Sequence, residues 1–168
     1  MKRVLQRLDR VHERLTAAVA PLDEVWFQRQ PADGGWSVAQ ILQHLCLVEE
    51  RVIRDLEKAL DSPAKPVGLV RRLIPTSIVA SRVVRVKAPK TVNPAAAPDK
   101  ALVVENFNQA RARLKKFCAA HGRDRLRQIT FNHPFLGKID GVATVSFVGY
   151  HEQRHYKQIR EVLNKLRN

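Results

Sequence analysis

Three histidines stand where their side chains could share one ligand. His151 and His155 lie four residues apart in "YHEQRHYKQI" (150–159). On a helix, both would project from one face about one turn from each other. His44 follows Ile41 by three residues and precedes Val48 by four, at the inner margin of a second apolar stripe. Imidazole nitrogens at that spacing reach a single ion at about 2.0–2.1 Å, and a three-nitrogen set leaves open positions where a divalent cation can polarise a ligand. The plainer alternative is three separate core histidines, each with a backbone or carboxylate partner. An i,i+4 pair alone is a weak motif.

The elements that must carry these side chains are four segments of helical periodicity. The first, about 2–20, repeats Leu5, Leu8, Val11, Leu15 and Val19 and stops near Pro21. The second opens at Ser37, with Gln40 three residues on as in a capping box, and its stripe runs from Val38 to Leu60. The third, about 99–119, follows Pro98-Asp99 and repeats Val103, Phe107, Ala110, Leu114 and Phe117. The fourth, about 141–166, sets Val148, His151, His155, Ile159 and Val162 at spacings of three and four. Strand signals are weak, "LRQITF" at 126–131 being the one short candidate. The predicted fold is all-α, a four-helix bundle in one domain over 1–168. A short connection makes the first two helices antiparallel. A long crossover between the second and third, rich in proline, can bring the chain back so that these two run parallel. A structureless connection of that length is unusual, so "GLVRRLIPTSIVASRV" is expected to hold a short helix over one end of the bundle.

Composition narrows the classes. Hydrophobic residues make up 45% of the 168-residue chain, which argues for a globular protein rather than global disorder. No apolar run approaches the ~20 residues of a membrane span, and the charged N-terminus has no signal-peptide character. Two cysteines, Cys46 and Cys118, do not make a disulfide framework. A cytoplasmic location is therefore expected. The net charge of +14 is concentrated: residues 62–97 and 111–127 supply +13 of it. Such segments suit either a solvated basic face or an anionic partner. "VGLVRRLIPTSIVASRVVRV" mixes apolar and basic residues as an interfacial segment would, and no specific nucleic-acid site is expected.

Two blocks carry a family resemblance. "GWSVAQILQHLCLVEE" (35–50) and "NHPFLGKIDGVATVSFVGYHEQRHYKQI" (132–159) resemble the DinB/YfiT-like superfamily, which includes the bacillithiol and mycothiol S-transferases. The resemblance implies an up-down-down-up bundle with the long crossover between helices two and three. It also implies metal ligation by His44, His151 and His155. The ion would be a divalent metal, with Zn, Ni, Fe and Mn all compatible, and a thiol cofactor fits some members. Thiol transfer, isomerisation and amide hydrolysis are the activities this family implies, so a small-molecule transferase or hydrolase is the leading expectation. The alternative is a non-enzymatic module that binds nucleic acid, a membrane surface or an acidic protein through its basic segments. A homodimer through an exposed helical face is also expected.

Other side chains have weaker claims. His133 sits in a Pro-Gly turn that explains it without chemistry. Gln158 is three residues after His155 and could orient it, although a plain polar contact suffices. Arg154 could meet an anionic substrate, Glu49 or Glu50. Cys46 points roughly 200° around the helix from His44 and is a poor co-ligand. Cys118, His12, His121, Trp26 and Trp36 read as packing residues.

Overall fold

The structure, a computed structural model, describes residues 1–62, 67–68, 76–80, 92–94, 99–133 and 136–167. The bundle helices are α1 (Lys2–Val19), α3 (Val38–Leu60), α4 (Lys100–Gln128) and α5 (Gly141–Arg167), with a short α2 (Glu24–Gln28) between the first two. Except at α1, where Met1 offers no side-chain cap, their starts are set by side chains that satisfy otherwise orphaned N–H groups. The Ser37 hydroxyl accepts from Gln40 N–H while the Gln40 side chain accepts from Ser37 N–H, completing the capping box. Asp99 accepts from Leu102 N–H at the start of α4, and Asp140 from Ala143 N–H at the start of α5.

Cross-helix contacts fix the directions. Asn108 meets His12 and Lys115 meets Asp9, so α4 runs against α1. Cys46 meets the Val103 carbonyl, Glu50 meets Arg113, and the Leu60 carbonyl meets Arg125, so α3 and α4 are parallel. Arg7 near the start of α1 reaches Ser146 near the start of α5, which makes those two parallel. The order is up-down-down-up, as the long crossover requires. Of that crossover, Thr76–Ala80 forms a 3-10 turn lying along α5 rather than capping an end. The Thr76 hydroxyl bonds Ser146, and the Lys157 ammonium reaches the Ala80 carbonyl. The remainder of the expected crossover helix lies outside the described residues.

Two expectations are corrected between α4 and α5. Residues 126–128 finish the helical segment instead of starting a strand. The strand is Thr130–His133, paired antiparallel with Gly137–Asp140 so that Phe131 opposes Ile139 and His133 opposes Gly137. The helical periodicity passes through a break at Gly122, whose φ of 66° only glycine adopts without strain. The second strand was hidden because it is four residues long and gains its pairing only from the first. Gly141 then begins α5 so close to the Leu126 carbonyl that an added Cβ would lie 2.7 Å from it.

The apolar core is divided in two. One cluster includes Val11, Leu15, Phe27, Ile41, Leu45, Phe107, Ile159 and Val162. The other includes Leu8, Ile53, Leu56, Leu114, Phe117, Val145 and Val148. On α3, α4 and α5, the residues between these clusters include Glu49, Arg111 and Glu152, only 1%, 4% and 1% exposed. The Arg111 guanidinium donates to Glu49 Oε1 at 2.9 Å, to Glu152 Oε1, and to the Leu8 carbonyl at 2.7 Å. One side chain of α4 thus ties α1, α3 and α5 together. Burial pushes both carboxylates upward against the pull of Arg111.

Breaking this cluster by Arg111→Met should cost about 3–5 kcal/mol, because two carboxylates stay buried without their cation. The triple replacement Glu49→Leu, Arg111→Met, Glu152→Leu should recover most of that loss. Urea unfolding of the two variants checks both outcomes.

A second prediction concerns pH. His12 stacks on Phe107 with ring centroids 4.4 Å apart and bonds Asn108 at 2.9 Å. Burial, then Arg111, holds its pKa down to about 4. The unfolded chain therefore takes up a proton near pH 6.5 that the folded chain refuses until about pH 4. The stability this residue contributes is full above pH 6.5 and declines as pH falls through that window. His12→Gln should remove that part of the acid sensitivity in paired unfolding curves from pH 7 to pH 4.

Candidate metal centre

α3 and α5 bring the three histidines together. The ligand-capable atoms of His44, His151 and His155 all lie within 4.8 Å of one another. His155 Nε2 is 3.2 Å from His151 Nε2, a separation that two nitrogens adopt around one ion with bonds of about 2.0–2.1 Å. The His44 ring centroid is 5.3 Å from that of His151 and 4.9 Å from that of His155. His44 and His155 are buried, and His151 is the half-buried member. The antiparallel course of α3 and α5 makes this meeting: residue 44 near the start of one descends to the level that residues 151–155 reach on the other.

Two further contacts orient the rings. His44 Nδ1 is 2.6 Å from the Val92 carbonyl. A carbonyl only accepts, so Nδ1 carries the proton and the Nε2 lone pair remains for a ligand. His155 Nδ1 donates to Gln158 Oε1 at 2.8 Å, which leaves its Nε2 as a lone pair as well. Burial depresses the pKa of His44, opposed by the Val92 bond. His151 is held well below the ordinary imidazole range by burial first, then by His155, His44, His133 and Arg154. Neutral imidazoles with Nε2 bare on His44 and His155 supply two of the nitrogens a divalent cation requires. With no cation between them, His151 Nε2–H can donate to His155 Nε2 across the 3.2 Å contact.

The walls are aromatic. Trp36 lies beside His44, with centroids 5.1 Å apart, and Phe147 lies 5.3 Å from His151. His133 is buried at the end of the first strand, edge-on to Phe147 at 4.3 Å, and its Nδ1 accepts the Leu136 N–H at 3.0 Å. It belongs to the turn, as the Pro-Gly pattern indicates, and stands behind Phe147 rather than in the triad. Cys46 turns away from the site toward the Val103 carbonyl, and burial raises its thiol to about 12. Burial likewise raises Cys118 to about 11. Neither is a nucleophile at neutral pH. His121 sits against Phe117.

Gln158 turns out to be the partner of His155. Glu49 bonds Arg111, and Glu50 bonds Arg113 at 2.7 Å, so both carboxylates expected near Arg154 meet a cation from α4. Arg111 itself, counted with the basic segment 111–127, is a core residue. Sequence reasoning missed the Glu49–Arg111–Glu152 cluster, although a signal was present. Arg111 lies four residues after Phe107 and three before Leu114, and Glu152 lies four after Val148, both on the apolar stripes. The Val92 carbonyl had no such signal, since a backbone acceptor leaves no trace in residue type.

A bundle with three inward imidazoles, two of them held by an amide and a carbonyl, defines a class of helical protein built around a histidine cluster. Residues 7–159 match the model of the DinB superfamily, and the chain belongs to that superfamily. It is similar to TT2238, described as a four-helix bundle protein, at 21% identity and a TM-score of 0.64, over 95% of this chain and 98% of that one. It is also similar to YfiT from Bacillus subtilis, described as a probable metal-dependent hydrolase with an unusual four-helix bundle topology. That match has 17% identity and a TM-score of 0.66, covering 98% of this chain and 86% of YfiT. No curated protein sequence matches. Among the described residues, no helix is long and apolar enough to cross a membrane.

In the metal-free protein, long-range ¹⁵N–¹H spectra should show His44 protonated at Nδ1 and His12 at Nε2. A His44 ring protonated at Nε2 instead would contradict the bond to Val92 and turn its lone pair away from the cluster.

Proposed function

We propose that His44, His151 and His155 bind one divalent metal ion and that the chain is a metal-dependent enzyme of small molecules, a hydrolase or thiol transferase. The observation that carries this reading is the convergence of three ligand atoms within 4.8 Å, two of them with their lone pairs fixed by Val92 and Gln158. The description of YfiT as a probable metal-dependent hydrolase supports it. A divalent cation there supplies Lewis acidity, polarising carbonyls and making water or a thiol acidic enough to react near neutral pH. Zn, Ni, Fe and Mn all suit the reading.

The protein's own groups set the conditions for that chemistry. Gln158 and the Val92 carbonyl prevent the rings from rotating or taking up the wrong proton. Trp36 and Phe147 line the centre with apolar surface, which excludes bulk water and strengthens electrostatic interactions within it. The half-buried His151 marks the side from which a small substrate approaches. Glu152, although next to His151 in sequence, is buried and bonds Arg111 through Oε1.

Metal content of untagged protein by plasma mass spectrometry tests the reading. About one equivalent is expected, falling to little in His44→Ala and His151→Ala, with Gln158→Ala keeping the site at about 10–100-fold lower affinity. A parent that is empty and takes up neither added Zn²⁺ nor Ni²⁺ overturns it. Loaded protein screened against amides and thiol acceptors then separates hydrolysis from thiol transfer.

A further inference from the structure

Part of the positive charge that the sequence concentrates at 111–127 is already paired among the described residues. In α3 and α4, Arg113 bonds Glu50 at 2.7 Å, Lys115 bonds Asp9 at 2.8 Å, Arg51 pairs with Asp55, and Arg111 is buried between two carboxylates. α1 is different. Arg3, Arg7, Arg10 and Arg14 follow one another at spacings of four, three and four, so they form one row on the helix. None of the four forms an ion pair with a described residue; Arg3, Arg10 and Arg14 are exposed and Arg7 is half-buried. Of the acids of α1, Asp9 is engaged by Lys115, and Glu13, three residues after Arg10, flanks the row.

The row is built as well as charged. Arg7 lies at the α1–α5 seam with its guanidinium 4.2 Å from the Tyr150 ring centroid and Nη1 3.5 Å from the Ser146 hydroxyl. A guanidinium already held on an aromatic face loses less freedom when it binds. Farther along the parallel α5, the exposed Lys157 and Arg160 add positive charge, with Glu161 the nearby acid of that helix.

We propose that this α1–α5 face binds the phosphate backbone of a nucleic acid without reading its sequence. The four arginines span about 16 Å at 1.5 Å per residue. One duplex strand presents about five phosphates in that length, at 3.4 Å each. All four cations are arginines, whose forked donors match phosphate oxygens in pairs. A membrane surface fits less well, because an interfacial helix needs apolar anchors beside its cations. Of the exposed large hydrophobic residues among those described, Val25 and Leu102 lie elsewhere and Ile78, on the Thr76–Ala80 turn along α5, is the one near this face, a single anchor where an interfacial helix presents a row. The inference stands apart from the metal centre, which uses neither the row nor Tyr150.

The experiment is fluorescence anisotropy of a labelled 20-base-pair duplex with the full chain, from 50 to 300 mM NaCl. Two variants with equal charge loss are compared: Arg3→Gln/Arg10→Gln/Arg14→Gln, and the control Lys58→Gln/Lys116→Gln/Arg123→Gln. All six positions are exposed, and thermal unfolding confirms that both variants fold. Four phosphate contacts predict a parent log–log salt slope of about −3.6. The row variant should lose about 2.7 of that slope and bind roughly 10²–10³-fold more weakly at 0.1 M salt, with the control little changed. Equal weakening of both variants would reduce the effect to net charge and overturn the proposal. So would absence of duplex binding at 50 mM NaCl, or binding only to phosphatidylserine vesicles with loss in the row variant, which would make the face a membrane surface.

Discussion

The Arg111 guanidinium is the constraint on which the bundle depends. It reaches the Leu8 carbonyl on α1, Glu49 on α3 and Glu152 on α5, from a position on α4 that is 4% exposed. An apolar contact tolerates sliding by fractions of a turn. A buried charged cluster does not, because each lost bond leaves a desolvated ion. The cluster therefore selects one register for all four helices, and the apolar clusters above and below it pack in that register. Its cost is the desolvation of three ionisable groups, offset by the charge-assisted bonds among them.

Register matters because the histidine cluster lies next to this layer. His151 precedes Glu152 in the chain, and His44 lies five residues before Glu49. A shift of α3 against α5 by one residue rise, about 1.5 Å, would separate His44 from the pair on α5 enough to spoil a shared ligand. The ionic layer and the histidine layer thus divide the work: one fixes the axial position of the helices and the other uses it. The crossover adds a third element, since the Val92 carbonyl fixes the His44 tautomer from a segment remote in sequence. The turn at Thr76–Ala80 keeps that crossover against α5.

Charge follows a similar logic. Carboxylates on α1 and α3 neutralise cations of α4 that look free in the sequence, whereas Arg3, Arg10 and Arg14 of α1 are exposed and form no ion pair with a described residue. The local density of basic residues along a chain is a poor guide to surface potential in a bundle, because each helix meets its neighbours' charges.

The sequence by itself determined the elements and the pair. The 3.6-residue stripes, Ser37 with Gln40, Asp99 and the length of the crossover specify four helices and their order, because these signals act within a few residues. The spacing of His151 and His155 likewise makes them neighbours on any helix. Tertiary structure decided the rest. That His44 joins the pair, that Val92 sets its tautomer, and that Arg111 is core rather than surface follow from which segments face each other. The hairpin at 130–140 was unreadable for a similar reason: each four-residue strand is stable only because the other pairs with it. Periodicity gives each helix a buried face, but only packing decides which neighbour that face meets.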